Sequence, residues 1–217
     1  MSQKTTGEAG NIRDDIAEAA LQLIAERGAD HVTRVDVVET LGMTRAAMEQ
    51  CCPTESDLWH AIVEVIEQRI AASWGPILSS EQSPAERLRS LLAVQIGLIL
   101  NMPALREMLF SRELHGGNTV LRRGLCGIRM RFRSLLCEIL RDSVRDGQLP
   151  LSLDPERAAR RVTETLQGMV VSWSLDSRSD TAVEEAWARL DALVGGRVPR
   201  RALAAMRTSG RAGIGET

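Results

Sequence analysis

The sequence predicts an all-α chain: three short helices form an N-terminal head, and a long helix joins it to a C-terminal helical bundle. Apolar residues recur at the helical period of about 3.6 along most of the 217 residues. No segment alternates as a half-buried strand does. Prolines 76, 84, 103, 150, 155 and 199 each fall between periodic segments, where a missing N–H costs least.

The first helix carries Ile12, Ile16, Ala19, Ala20, Leu23 and Ile24 on one stripe, with Asn11 as the expected cap and Gly28 as the stop. Thr33-Arg34-Val35-Asp36 reads as a capping box opening a short helix to Leu41. Gly42 turns the chain, Thr44 caps another short helix through about Cys51, and Pro53 ends it. Thr54 opens a long helix, to about Trp74, with Leu58, Ile62, Val65 and Ile66 inward. Further helices are expected over 84–101, 103–114, 118–147, 155–175 and 180–195. Residues 91–100 are apolar nearly all round, the mark of a helix buried in a bundle. The expected divisions are a head over 1–53, a bundle over 54–196, and a short helix or loose tail over 197–217.

Composition narrows the functional classes. With 44% hydrophobic and 26% charged residues and a net charge of −2, the chain is neither a disordered segment nor a disulfide scaffold. The longest apolar run, Leu91–Leu100, is interrupted by Gln95 and Gly97 and is shorter than the roughly 18 residues of a membrane span. The polar start MSQKTTGEAG lacks a secretory pattern, and four cysteines fit a reducing compartment, so a cytoplasmic protein is expected. There is no Gly-x-Gly-x-x-Gly, Walker sequence or nucleophile elbow, so neither an enzyme nor a cofactor is expected. His31, His60 and His115 are scattered and no Cys-x-x-Cys exists, so no metal site is expected.

Two short helices joined by Leu41-Gly42-Met43-Thr44 describe a helix-turn-helix, whose second helix enters a DNA major groove about 12 Å wide. Residues 12–60 resemble the N-terminal domain of the TetR family of transcriptional regulators, through AEAALQLIAERGAD, VTRVDVVETLGMTRAAM and CPTESDLWHAI. LDPERAARRVTETLQGMVVSWSL is similar to that family's penultimate helix. The resemblance implies a homodimer that binds a palindromic operator, acts most often as a repressor, and lets go when a small ligand enters the C-terminal domain. Release is expected to work through a pendulum-like shift of the long helix that alters the spacing of two heads about 34–36 Å apart.

The departures from the family pattern matter as much. Where the family ends its recognition helix with Tyr, His or Tyr, and Phe, then a Lys, this chain has Glu49, Cys51, Cys52 and Glu55. Residues 1–60 hold five cations against eleven anions, −6, leaving +4 for the rest. Neutralised phosphates supply most non-specific DNA affinity, so this polarity runs against DNA binding. Two readings follow. In one, the acids face away from DNA: Arg45 and Gln50 beside Ala46 read bases, while Thr33, Arg34 and Thr44 hold phosphates. In the other, the chain is a TetR-like dimeric protein-interaction module that has lost ordinary DNA binding.

Other groups have a plain and a functional reading. Cys51-Cys52 is a small buried pair or a thiol switch. Cys126, Met130, Arg133 and Cys137 form one stripe, either core boundary or a ligand-chamber wall on which Arg133 or Arg129 meets an acidic ligand. Gln95, Ile96, Ile99, Met102, Leu105, Met108, Leu109 and Phe110, with Cys126 and Met130, are the expected lining for a small hydrophobic effector. Ala159, Val162, Leu166, Met169, Val170 and Trp173, with Val183, Trp187 and Leu190, are the expected dimer seam. The Arg-bearing tail (Arg197, Arg200, Arg201, Arg207, Arg211) is a solvated end or a contact arm.

Overall fold

The computed structural model describes the backbone of residues 3–112, 116–175 and 180–194, with side chains for 12–112, 116–175 and 181–192. Among the described residues there are nine α-helices, one 3-10 turn and no strand. In chain order they are α1 (Gln3–Arg27), the turn Ala29–His31, α2 (Arg34–Leu41), α3 (Arg45–Cys51), α4 (Glu55–Leu78), α5 (Pro84–Asn101), α6 (Pro103–Phe110), α7 (Thr119–Arg145), α8 (Pro155–Leu175) and α9 (Asp180–Val194). No single described helix is long and apolar enough to cross a membrane.

Three boundaries differ from expectation. α1 begins at Gln3, so Asn11 lies inside it; no proline intervenes, and the glycines at 7 and 10 cost only about 1 kcal/mol each relative to alanine. α6 ends at Phe110, because Ser111 turns extended (φ −74°, ψ 153°) and its hydroxyl donates to the Met108 carbonyl at 2.8 Å. Pro76 falls in the last turn of α4 rather than beyond it. The expected tail lies outside the described residues.

The chain divides into two compact units, and the division does not follow the expected boundary at residue 53. Unit 1 joins the residues up to Ala72 with Met102–Ile128; unit 2 joins Ser73–Asn101 with the described residues from Arg129 onward. Unit 1 is larger than a three-helix head because α1 packs on α6 as well as on α2 and α3. Its core is made by Ile16, Ala20 and Ile24 of α1, Val37 of α2, Met48 of α3, Leu58, Ile62 and Ile66 of α4, and Met108 of α6, all buried. Ile12, expected inward, is 41% exposed. Asp30 ties the 3-10 turn to the end of α6 by accepting from the backbone N–H of Arg112 at 3.3 Å and from its Nε at 3.2 Å. Within unit 1, α7 approaches α4 at Gly124, where a Cβ would lie 2.8 Å from Val63 Cγ2 and closer still to Cγ1.

In unit 2, α5 buries Leu88, Leu91, Leu92 and Ile96, and α7 buries Phe132, Leu136, Ile139 and Leu140. Residues 91–100 are buried or half-buried on every side, as their all-round apolarity requires. Trp74 stacks obliquely on Phe132, ring centroids 5.5 Å apart, within the favourable range for an aromatic pair. Gly147, at φ 70°, closes α7 in the left-handed region where a Cβ is penalised. Asp154 caps α8 by accepting from the N–H groups of Glu156 and Arg157 at 3.0 and 3.2 Å. α8 and α9 pack closely on each other.

Candidate nucleic-acid interface

The head is built on local signals that the sequence displays openly. Thr33, extended at φ −121°, caps α2 through a reciprocal box: its Oγ1 accepts from Asp36 N–H at 3.4 Å, and Asp36 Oδ2 accepts from Thr33 N–H at 2.8 Å. The Thr33 hydroxyl also donates to Asp36 Oδ2, and this bond first, then that from the Thr33 N–H, with Arg27 3.6 Å away, hold the Asp36 carboxyl below its ordinary pKa. Gly42 adopts φ 61°, ψ 25°, and the next N–H, of Met43, donates back to Val38 O at 3.2 Å, closing α2. Thr44 then starts α3, its Oγ1 accepting from Ala47 N–H at 3.2 Å. A second Thr-Asp box, Thr54 with Asp57, opens α4 and lowers the Asp57 pKa in the same way.

Met48, fully buried, anchors α3 on the side opposite its exposed face. That outer face presents Arg45, Ala46, Glu49 and Gln50, and Thr44 is exposed at its start. The N–H groups of Arg45 and Ala46 have no intrahelical acceptor at this end, which suits an incoming phosphate oxygen. Arg45 and Glu49 stand four residues apart, so cation and carboxylate offset each other on this exposed face.

At α2 the structure adds a contact between residues distant in sequence. Glu55 Oε1 accepts from the backbone N–H of Arg34 at 3.2 Å, occupying an N-terminal amide of α2. Arg34 is half-buried, and its Nε has no hydrogen-bond partner among the described residues. The Arg34 backbone N–H is thus taken by Glu55 and the Thr33 N–H by Asp36, while the Thr33, Thr44, Arg45, Ala46 and Gln50 side chains are exposed. No local pattern signals the Glu55–Arg34 contact, because 21 residues separate the pair.

Cys52 is fully buried and burial pushes its thiol pKa up, while Cys51 is half-buried. A buried thiol kept protonated is a poor nucleophile, so Cys52 serves as packing. Among the described residues no group of His, Cys, Asp or Glu side chains is arranged to hold a metal ion.

The ten expected effector-lining residues are divided between the two units. Gln95 is half-buried in unit 2 and its Oε1 accepts from Trp74 Nε1 at 3.2 Å, with Ile96 and Ile99 buried on the same helix. Met102, Leu105 and Met108 are buried in unit 1, whose α6 packs on α1, and Leu109 is half-buried. Phe110 is 50% and Met130 60% exposed, and Cys126 is exposed too; their spacing on helical stripes does not turn them inward. On the stripe of Cys126, Met130, Arg133 and Cys137 only Cys137 is buried. Of the nine expected seam residues, eight are buried within a single chain and Trp173 is half-buried. The stripe that reads as apolar in sequence is covered without a second copy. α8 instead shows solvent a stripe of Gly168, Val171 and Leu175, the last two 45% and 77% exposed.

Comparison with solved structures decides the fold. A TetR transcription regulator from Haloarcula marismortui matches with a TM-score of 0.72 at 18% identity, over 84% of this chain and 96% of that one. FadR of Bacillus subtilis, solved in complex with stearoyl-CoA, matches with a TM-score of 0.68 at 20% identity, over 85% and 98%. This chain has the TetR-family fold. In sequence, it is 26% identical over 140 residues to the nucleoid occlusion factor SlmA of Vibrio atlanticus, covering 64% of this chain and 71% of SlmA. It is also 26% identical over 189 residues to the transcriptional regulator TtgR of Pseudomonas putida, covering 81% and 86%. No family sequence model matches the chain. In the TetR-family frame, α2 and α3 are the helix-turn-helix that its sequence predicts, and α8 and α9 are the closing helix pair.

Proposed function

We propose that this TetR-like chain is a transcriptional regulator, acting as a repressor, that binds a palindromic operator as a homodimer and responds to a small hydrophobic effector. One observation carries the reading: α3, capped by Thr44 and anchored by Met48, turns Arg45, Ala46 and Gln50 to solvent at the end of a tight Gly42 turn. Arg45 and Gln50 are the base readers, since a guanidinium pairs with guanine and a carboxamide with adenine. Thr44 and the first amides of α3 take the phosphate, and Thr33 and Arg34 support them from α2.

For the dimer, the outward stripe Gly168, Val171 and Leu175 replaces the buried one as the seam on α8. A Cβ on Gly168 would meet nothing in the chain, which leaves room for a partner helix to approach. Val171→Arg with Leu175→Arg is expected to give a monomer by light scattering at micromolar concentration. A wild-type chain already monomeric there contradicts the seam. For the effector, Gln95 supplies orientation beside Ile96 and Ile99: the Trp74 indole occupies its carbonyl, leaving its amide donors for a ligand.

The deciding experiment is promoter-DNA binding by fluorescence anisotropy across a salt series. A regulator loses affinity steeply with salt, and Arg45→Ala with Gln50→Ala flattens its sequence preference. Absence of binding even at about 50 mM salt sinks the reading. A second reading, a dimeric interaction module without operator binding, is favoured by the exposed Glu49 and by Glu55 at the Arg34 amide. Failure to bind DNA with the dimer intact selects it.

A further inference from the structure

Unit 2 carries an open groove of about 320 Å³ between α7 and α8, within the size range of small-molecule sites. Arg129 and Arg133 reach it from α7 and Arg160 from α8, with Met130, Glu164 and Gln167 around them. All six are exposed. Thr163 completes the wall, but its hydroxyl proton is spent on the Ala159 carbonyl at 2.9 Å.

The charge pattern here differs from that of neighbouring arginines. Farther along α7, Arg141 meets Glu156 at 2.9 Å, and Arg145 meets Asp142. From α5, Arg87 lies 3.7 Å from the same Asp142. Among the described residues no carboxylate lies within ion-pair distance of Arg129, Arg133 or Arg160, not even Glu164 in the same groove. Arg129 and Arg133 also stand one helical turn apart, a like-charge placement that is unfavourable unless an anion lies between them. Three guanidiniums and one carboxylate leave the groove at +2. That matches a phosphoryl group near neutral pH better than a monocarboxylate, and guanidinium forks pair with phosphate oxygens two at a time.

We propose that this groove binds a small phosphorylated anion: the arginines hold a phosphoryl or diphosphate group, and Met130 and Gln167 flank the organic part. On α8 the groove wall of Arg160, Glu164 and Gln167 continues toward the N-terminus the outward stripe of Gly168, Val171 and Leu175, so the site lies at the end of the proposed seam, and it does not depend on whether the head binds DNA.

Isothermal titration of the full chain with inorganic pyrophosphate and with ADP tests it. Both probes are expected to bind, more weakly as salt rises, and Arg133→Gln with Arg160→Gln is expected to weaken both by about tenfold or more. Arg141→Gln, already paired with Glu156, is expected to leave them unchanged. Circular dichroism of the double variant checks that it is folded. The proposal is overturned if neither probe binds by about 10 mM, or if the double variant binds them as the wild type does. Tricarballylate binding as tightly as the probes would overturn the phosphoryl assignment. Duplex DNA whose binding is lost in the double variant would make the surface a polyanion track, and a changed oligomeric state would make it an interface. Either result would overturn the proposal.

Discussion

The cations of the head and those of the α7–α8 face are used in opposite ways. In unit 1, Arg13 pairs with Glu64, Arg27 with Asp36 and Arg69 with Glu18, and Arg45 shares its helix face with Glu49. In unit 2, Arg129, Arg133 and Arg160 face one groove with no pairing carboxylate among the described residues. Among the described residues, three arginines without an ion-pair partner thus gather in one groove of unit 2, in a chain of net charge −2. Net charge alone does not say where an anion goes; the pairing state of each arginine does.

The head side of this contrast is broken most severely by removing its anchor. Met48→Ala empties a fully buried site under the outer face of α3 and is expected to cost about 2–5 kcal/mol by urea denaturation. Reversing the acids sharpens the contrast instead. Glu49→Lys with Glu55→Lys adds two potential phosphate contacts and frees the Arg34 amide, so DNA affinity at low salt is expected to rise about 10–100-fold. The slope of log affinity against log salt is expected to steepen by about 2. An unchanged slope shows that neither position faces DNA.

Smaller effects follow at the supports. Gly124→Ala drives a methyl into Val63 and is expected to cost about 1–3 kcal/mol in thermal unfolding. Thr33→Ala removes the α2 cap at about 1 kcal/mol. Asp36 titrates below its usual value in the folded chain, so its box stabilises at neutral pH, and that contribution disappears as acid takes pH through the carboxylate range. Thr33→Ala is therefore expected to shrink the stability difference between pH 6 and pH 3, measured by denaturant titration. An unaltered difference assigns the acid response to other carboxylates.

What was legible in the sequence was local. The Thr33–Asp36 box, the Gly42 turn and the Thr44 cap all join residues a few positions apart, and the structure shows each of them; the Thr54–Asp57 box at the start of α4 is equally local. The bonds that fix how helices meet were not legible: Glu55 with Arg34 spans 21 residues and Arg112 with Asp30 spans 82. Periodicity marked which residues of α8 are buried but not what covers them. Ala159, Val162 and Leu166 thus read as a seam between chains, although a single chain buries them. The arginine groove was half visible, since Arg129 and Arg133 share a helix, whereas Arg160 joins them only through the packing of α8.

The contact of Gly124 with Val63 leaves a mark on which sequences this part of the molecule tolerates. Two helices that touch with no methyl between them constrain two positions at once: any gain in bulk at 124 demands an equal concession at 63. Val63→Ala and Gly124→Ala, each harmful alone, are thus expected to be milder together than the sum of their separate costs. Among distant cousins of this chain the two sites are expected to trade size, one shrinking wherever the other grows.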